Sequence, residues 1–180
     1  MQKRVLLVTG NPGAGKTTVL MKTVSVLKEK GYHIGGFISR EIREGVTRVG
    51  FEILELSNGR KGLLAHVNQR TGPQVGKYRV KRGNLDRIGA KAIADAVEKC
   101  DAIAIDEIGP MELFSEKFKE ATRKALNSHK PVLAVVHLKA RDKLINEAKN
   151  REDSETFTVT HENRNKLPET LTQIKLELLE

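Results

Sequence analysis

Residues Gly10-Asn11-Pro12-Gly13-Ala14-Gly15-Lys16-Thr17-Thr18 carry the spacing Gly, any four residues, Gly-Lys-Ser/Thr. The four fixed positions arise by chance in roughly one chain of this length in a hundred or fewer. An apolar run, Val5-Leu6-Leu7-Val8, precedes them and a helical pattern follows. A strand that turns through glycines into a helix N-terminus makes an anion site from backbone alone, because the turn's N–H groups converge and the helix dipole favours negative charge. Gly10, Gly13 and Gly15 permit backbone paths and close approaches that a Cβ would block. Lys16 is then expected to reach β- and γ-phosphate oxygens, and the Thr17 hydroxyl to bind Mg²⁺. The whole stretch, from Gly10 through Asn11, Pro12, Gly13, Ala14, Gly15 and Lys16 to Thr17 and Thr18, reads as a site for nucleoside triphosphates.

Such a loop needs an acidic partner, and Ile103-Ala104-Ile105-Asp106-Glu107 provides one. A short apolar strand delivers Asp106 at its C-terminal end, where ligands of open α/β sheets bind. Asp106 is expected to share Mg²⁺ with Thr17. Glu107 beside it has the chemistry to polarise a water for in-line attack on the γ-phosphate. Phosphoryl transfer also calls for positive charge, of which Lys16 and Mg²⁺ provide part. His137, at the end of the next apolar strand, is a candidate γ-phosphate sensor, and Arg141 and Arg151 flank a charged helix as candidate arginine fingers. Arg40, Glu41, Arg43 and Arg48 cluster in one stretch, where cross-strand ion pairing and substrate contact are both open readings.

Strand and helix patterns alternate along the chain, which argues for a mostly parallel sheet covered on both faces. A strand is expected over residues 4–9, then a helix over 16–30 ending at Gly31. Residues 36–56 read as a β-hairpin with a glycine between two extended runs. Asn58-Gly59 is a turn signal before a strand at 62–65. Residues 66–80 read as basic loop. Helices are expected over 86–99, 115–127 with Ser115 as N-cap, 139–149, and 168–179 with Pro168 in its first turn. Strands are expected over 102–105, 131–136 and 155–160. No repeat or linker divides the pattern, so residues 1–180 are expected to form a single domain.

The composition fits this reading. Hydrophobic residues make up 38% and charged residues 31% of the 180, as in a soluble globular chain. No run approaches the ~18 apolar residues of a membrane span. The lone cysteine, Cys100, excludes an internal disulfide and reads as a packing residue, consistent with a cytoplasmic location. The net charge of +9 suits a surface that attracts polyphosphates. With two Tyr, five Phe and no Trp to stack on bases, nucleic acid is possible but not the favoured partner. A monomer is the expected state, since no heptad pattern is present.

Several phrases together resemble one family, the small nucleoside-triphosphatases known from thermophiles and from a human cancer-related relative. These are Gly10 to Thr18; Gly36 to Gly45 with Arg48-Val49-Gly50-Phe51; Asp106-Glu107-Ile108-Gly109-Pro110-Met111-Glu112-Leu113-Phe114-Ser115; and Val159-Thr160-His161-Glu162-Asn163-Arg164 with Leu167-Pro168. The resemblance covers nearly the whole chain in matching order. It implies a three-layer RecA-like P-loop fold and slow Mg²⁺-dependent hydrolysis of ATP, GTP and other nucleoside triphosphates to diphosphate and phosphate. By motif match it carries the phosphate role onto Gly10–Thr18 and the metal and water roles onto Asp106 and Glu107. Leu138-Lys139-Ala140-Arg141 departs from the family's more arginine-rich version, so the arginine roles stay open. No Asn-Lys-x-Asp signature for guanine is present. Two other readings of the same residues are a small nucleotide or nucleoside kinase and a nucleotide-gated switch that binds RNA or DNA.

Overall fold

Val5–Thr9 (β1) is apolar to its last residue and wholly buried, and its surroundings in the computed structural model of residues 1–180 explain why. It lies between two parallel neighbours, paired with Val132–Val136 (β8) on one side and Ser154–Thr158 (β9) on the other. Strands covered on both faces tolerate no alternation of apolar and polar residues. The same logic holds for Ala102–Ile108 (β7), which pairs in parallel with β8 and with the first half of Ile34–Glu44 (β2). Alternate residues serve opposite faces. Leu6, Val8, Ala104, Leu133 and Val135 pack beneath Lys16–Glu29 (α1) and Leu167–Leu179 (α5). Val5, Leu7, Ile103, Ile105 and Ala134 pack beneath Lys91–Lys99 (α2), Glu116–Asn127 (α3) and Lys143–Lys149 (α4).

Thr47–Glu55 (β3), Lys61–His66 (β4), Gln74–Val75 (β5) and Tyr78–Val80 (β6) join antiparallel to the β2 edge. The full sheet has nine strands in the order β5-β6-β4-β3-β2-β7-β8-β1-β9. The expected hairpin at 36–56 is β2–β3, turning at Gly45 and Val46. β2 pairs with β7 only from Ile34 to Ile38. Its last six residues run on with β3 alone, an arm of roughly 20 Å at ~3.3 Å per residue. That arm overhangs the C-terminal ends of the parallel strands.

Helix ends follow the chain's own punctuation. Gly31, at φ +94°, lets the N–H groups of Gly31 and Tyr32 return to Lys28 and Leu27 and so closes α1. Ser115 Oγ accepts from Phe118 N at 3.0 Å and opens α3. Three expectations differ. The basic loop at 66–80 contains the small β5–β6 hairpin. The helix expected from 86 begins earlier, as a turn Arg82–Asn84 and a π-helical segment Leu85–Ala90 that leads into α2. Asn84 Nδ2, donating to Leu63 O at 2.8 Å, anchors that start. The helix expected from 139 begins only at Lys143. His137 Nδ1 accepts the N–H groups of Lys139 and Ala140, which holds those residues in a loop, and Asp142 caps Leu144 N. No helix is long and apolar enough to cross a membrane.

At the opposite end of the sheet, Lys175 of α5 is 1% exposed and donates to Arg4 O. Burial, and then the nearby Arg4 charge, hold its ammonium well below the usual lysine range. The unfolded chain keeps that proton up to about pH 10, so stability rises with pH between the folded and unfolded values. Lys175→Met is therefore expected to raise Tm at pH 7, with the gain shrinking as pH approaches about 10. Arg4 O keeps the N–H of Val132 in that variant. Thermal melts across pH check this; an equal gain at every pH contradicts it.

Candidate functional site

The turn after β1 is held open by its glycines. Gly10 sits at φ +151°, and a Cβ there would meet Val159 O at 2.8 Å. Gly15, at φ +103°, is the N-cap of α1 and offers no side chain to cap it. The first-turn N–H groups of this 14-residue helix are thus left for an outside acceptor. Lys16 Nζ lies back over the loop, donating to Gly10 O at 2.9 Å and Asn11 O at 3.1 Å.

β7 ends two strands away from β1, with β8 between them. Thr17 and Asp106 close that gap: Thr17 Oγ1 donates to Asp106 Oδ2 at 2.7 Å. Asp106 is 2% exposed, and its carboxyl is pushed up to about 7. Burial is the main cause; the Thr17 bond and Lys16 pull down, while Glu107 pushes up. Such a carboxylate is short of positive charge. A hydroxyl and a carboxylate together are hard oxygen donors, the kind Mg²⁺ takes, and too few to cage an ion without phosphate and water oxygens. The residues therefore fit Mg²⁺.

Glu107 follows on the same strand and faces the same cavity. Burial raises its carboxyl, opposed by His137 and then Lys16. Gly109 lies against it, where an added Cβ would meet Glu107 Oε1 at 2.5 Å. Glu112, in the 3-10 turn Glu112–Phe114, is 2% exposed, and its Oε2 has no hydrogen-bond partner. Burial, and next the Glu107 charge, hold this carboxyl well above the usual range. Its place within the Asp106-to-Ser115 phrase was the signal available for it in the sequence.

Loop, Thr17, Asp106, Glu107 and His137 enclose one cavity of about 530 Å³. A larger groove of about 790 Å³ runs between α1 and α5, sharing Thr17 and Thr18 but neither Lys16 nor the two acids. The smaller cavity is where Lys16, Thr17, Asp106 and Glu107 meet. His137 spends Nδ1 on two backbone N–H groups, so in its neutral form the proton sits on Nε2.

The arginine candidates separate by position. Arg151 lies at the wrong end of the sheet: it pairs with Asp153 at 2.8 Å beside Arg4, where β9 begins. As a finger on the phosphates it is corrected to a structural ion pair. Arg141 is exposed and borders a separate surface dip with Asp142 and Asn146, also outside the cavity. Arg43 is tied to Glu41 at 2.7 Å and to Val46 O at 3.0 Å, at the hairpin turn. The hairpin instead presents Ser39, Glu41, Arg48 and Phe51 to the cavity.

The chain matches a family model described as "NTPase" over residues 5–172. It is 44% identical over 169 residues to Nucleoside-triphosphatase THEP1 of Thermofilum pendens, covering 93% of each chain. It is 47% identical over 168 residues to the protein of the same name from Methanosarcina acetivorans, covering 93% and 94%. The crystal structure of THEP1 from Aquifex aeolicus superposes with a TM-score of 0.82 at 27% identity, covering 98% of this chain and 99% of that one. The solution structure of a human cancer-related nucleoside triphosphatase gives 0.80 at 34%, covering 96% and 98%. With an α/β P-loop fold, a glycine-rich loop after β1 and two acids at the end of β7, the chain belongs to the NTPase family.

Proposed function

We propose that this protein hydrolyses nucleoside triphosphates to diphosphate and phosphate with Mg²⁺ as cofactor. The observation that carries the reading is the meeting of Lys16, the Thr17–Asp106 pair and Glu107 on one cavity. Thr17 and Asp106 would hold Mg²⁺, which when bound supplies positive charge to the β- and γ-phosphate oxygens. Lys16 exchanges the carbonyls of Gly10 and Asn11 for phosphate oxygens, and the N–H groups of the loop and α1 hold the remaining charge. Glu107 takes a proton from a water as the water oxygen bonds to the γ-phosphorus. The bridging P–O bond breaks and its electron pair leaves on the diphosphate. Charge neutralisation and positioning carry most of such a rate. The cavity grips phosphates and no guanine signature is present, which supports use of ATP, GTP and other triphosphates alike.

Phosphate release without any acceptor tests the reading directly. Glu107→Gln is expected to lower turnover about 10²- to 10⁴-fold while nucleotide affinity is kept. Equal turnover in that variant would remove Glu107 as the base. Phosphate transfer seen only with an added nucleoside or monophosphate would replace hydrolysis with kinase activity. A chelator is expected to stop release and added Mg²⁺ to restore it; unchanged turnover in the chelator would exclude the metal.

Gly109→Ala should act through Glu107 alone, since the clash falls on the far end of that flexible side chain. We expect a near-native Tm, nucleotide affinity close to wild type and a clear loss of kcat. A large fall in Tm with kcat retained would contradict this.

A further inference from the structure

The hairpin wall of the cavity carries a cation whose orientation is already set. Arg48 Nε donates to Tyr78 Oη and Nη1 to Glu41 Oε1, each at 3.0 Å. Its guanidinium carbon lies 5.2 Å from the centre of the Phe51 ring and 5.9 Å from that of Tyr78. Nη2 makes no hydrogen bond within the protein. A guanidinium held at Nε and Nη1, with Nη2 unpaired, keeps N–H groups free for phosphoryl oxygens. Lys139 also reaches the cavity, but no hydrogen bond or ion pair orients its side chain.

An irregularity in the hairpin puts Arg48 there. Glu41 pairs with Phe51 and Ile42 with Gly50, but the next residue, Arg43, pairs with Arg48. One residue of β3, Val49, is therefore extra. Side chains alternate strictly along a regular strand, so without this bulge Arg48 would share the face of Gly50 and Ile42. The bulge turns it to the face of Glu41 and Phe51, above the phosphate loop. Bulges beside active sites commonly re-aim a side chain in this way.

We propose that Arg48 is the catalytic cation that neutralises the terminal phosphoryl group as the bond to the diphosphate breaks. Glu41 and Tyr78 act as positioning residues that hold its fork toward the cavity. This rests on the hydrolytic reading above. Arg48 gains and loses no proton; its N–H groups strengthen their bonds as charge shifts onto the phosphoryl and leaving oxygens.

The test compares wild type, Arg48→Ala, Arg48→Lys and Tyr78→Phe for turnover and for Mg²⁺-diphosphate affinity with and without fluoroaluminate, the mimic of the transferring group. Arg48→Ala is expected to slow phosphate release about 10³-fold or more. Diphosphate affinity should stay within about threefold, and the tightening by fluoroaluminate should be lost. Arg48→Lys should recover only part of the rate, having charge without the fork. Added guanidinium ion should raise turnover of Arg48→Ala but not of wild type. Tyr78→Phe, which keeps the charge but loosens it, should lower kcat with KM unchanged. Turnover of Arg48→Ala within threefold of wild type overturns the proposal, as does equal weakening of the diphosphate and fluoroaluminate complexes. Should Arg48→Ala fail to fold, Arg48→Lys and Tyr78→Phe decide: full activity with full fluoroaluminate tightening in both overturns it. If wild type releases no phosphate, hydrolysis fails by itself, and loss of fluoroaluminate tightening still reports on Arg48.

Discussion

The hydrogen bond from Thr17 to Asp106 joins two pieces of chain that share no backbone pairing. One belongs to the turn after β1, the other to the end of β7, and β8 separates their strands. Much of the fold serves to make that meeting possible. Continuous apolar strands bury β1, β8 and β7 between two helical layers, which aligns their C-terminal ends. The cost is a carboxylate nearly without solvent, raised by burial and only partly relieved by one hydroxyl and the Lys16 charge. A buried charge of this kind is costly unless paired. The site is thus electrostatically incomplete, and its deficit matches a divalent cation with attached phosphates.

The same burial organises the acids around it. Glu107 and Glu112 both rise under desolvation, and each feels neighbouring negative charge or the cations set against it. Along one strand and one turn, three carboxyl groups meet fewer cations than they need. Perturbed groups gathered in one cleft are a mark of function more than of stability. The ion pairs of Arg4 and Arg151, by contrast, lie where β9 begins and share the one carboxylate of Asp153.

Much of this was legible in the chain. Gly10 to Thr18 announce a turn whose geometry needs glycine, and the runs around Val5 and Ile103 are apolar because both faces are covered. Local signals sufficed for Gly31 and Ser115, since each closes or opens its helix within a few residues. The placement of arginines was not legible. Arg151 and Arg48 look alike as letters, yet one lies at each end of the sheet. Arg48 reaches the cavity only through a register shift between two strands, and no period within β3 alone displays it. The loop after His137 escaped for a similar reason: an imidazole accepting two N–H groups holds back a helix that the charge pattern favours. Glu112 was visible as a letter in a familiar phrase, but its burial arises only once the turn has folded against β7.

β2 has one further consequence. It is a single strand whose first five residues belong to the parallel core and whose remainder forms the arm over the cavity. No loop or hinge separates the two halves. The wall that carries Glu41 and Arg48 thus grows from the same sheet as the floor that carries Asp106. The placing of the wall over the floor is fixed by strand register, when the sheet assembles. Heating a catalyst built this way should leave its working geometry intact until the sheet itself melts, so that activity and fold vanish together.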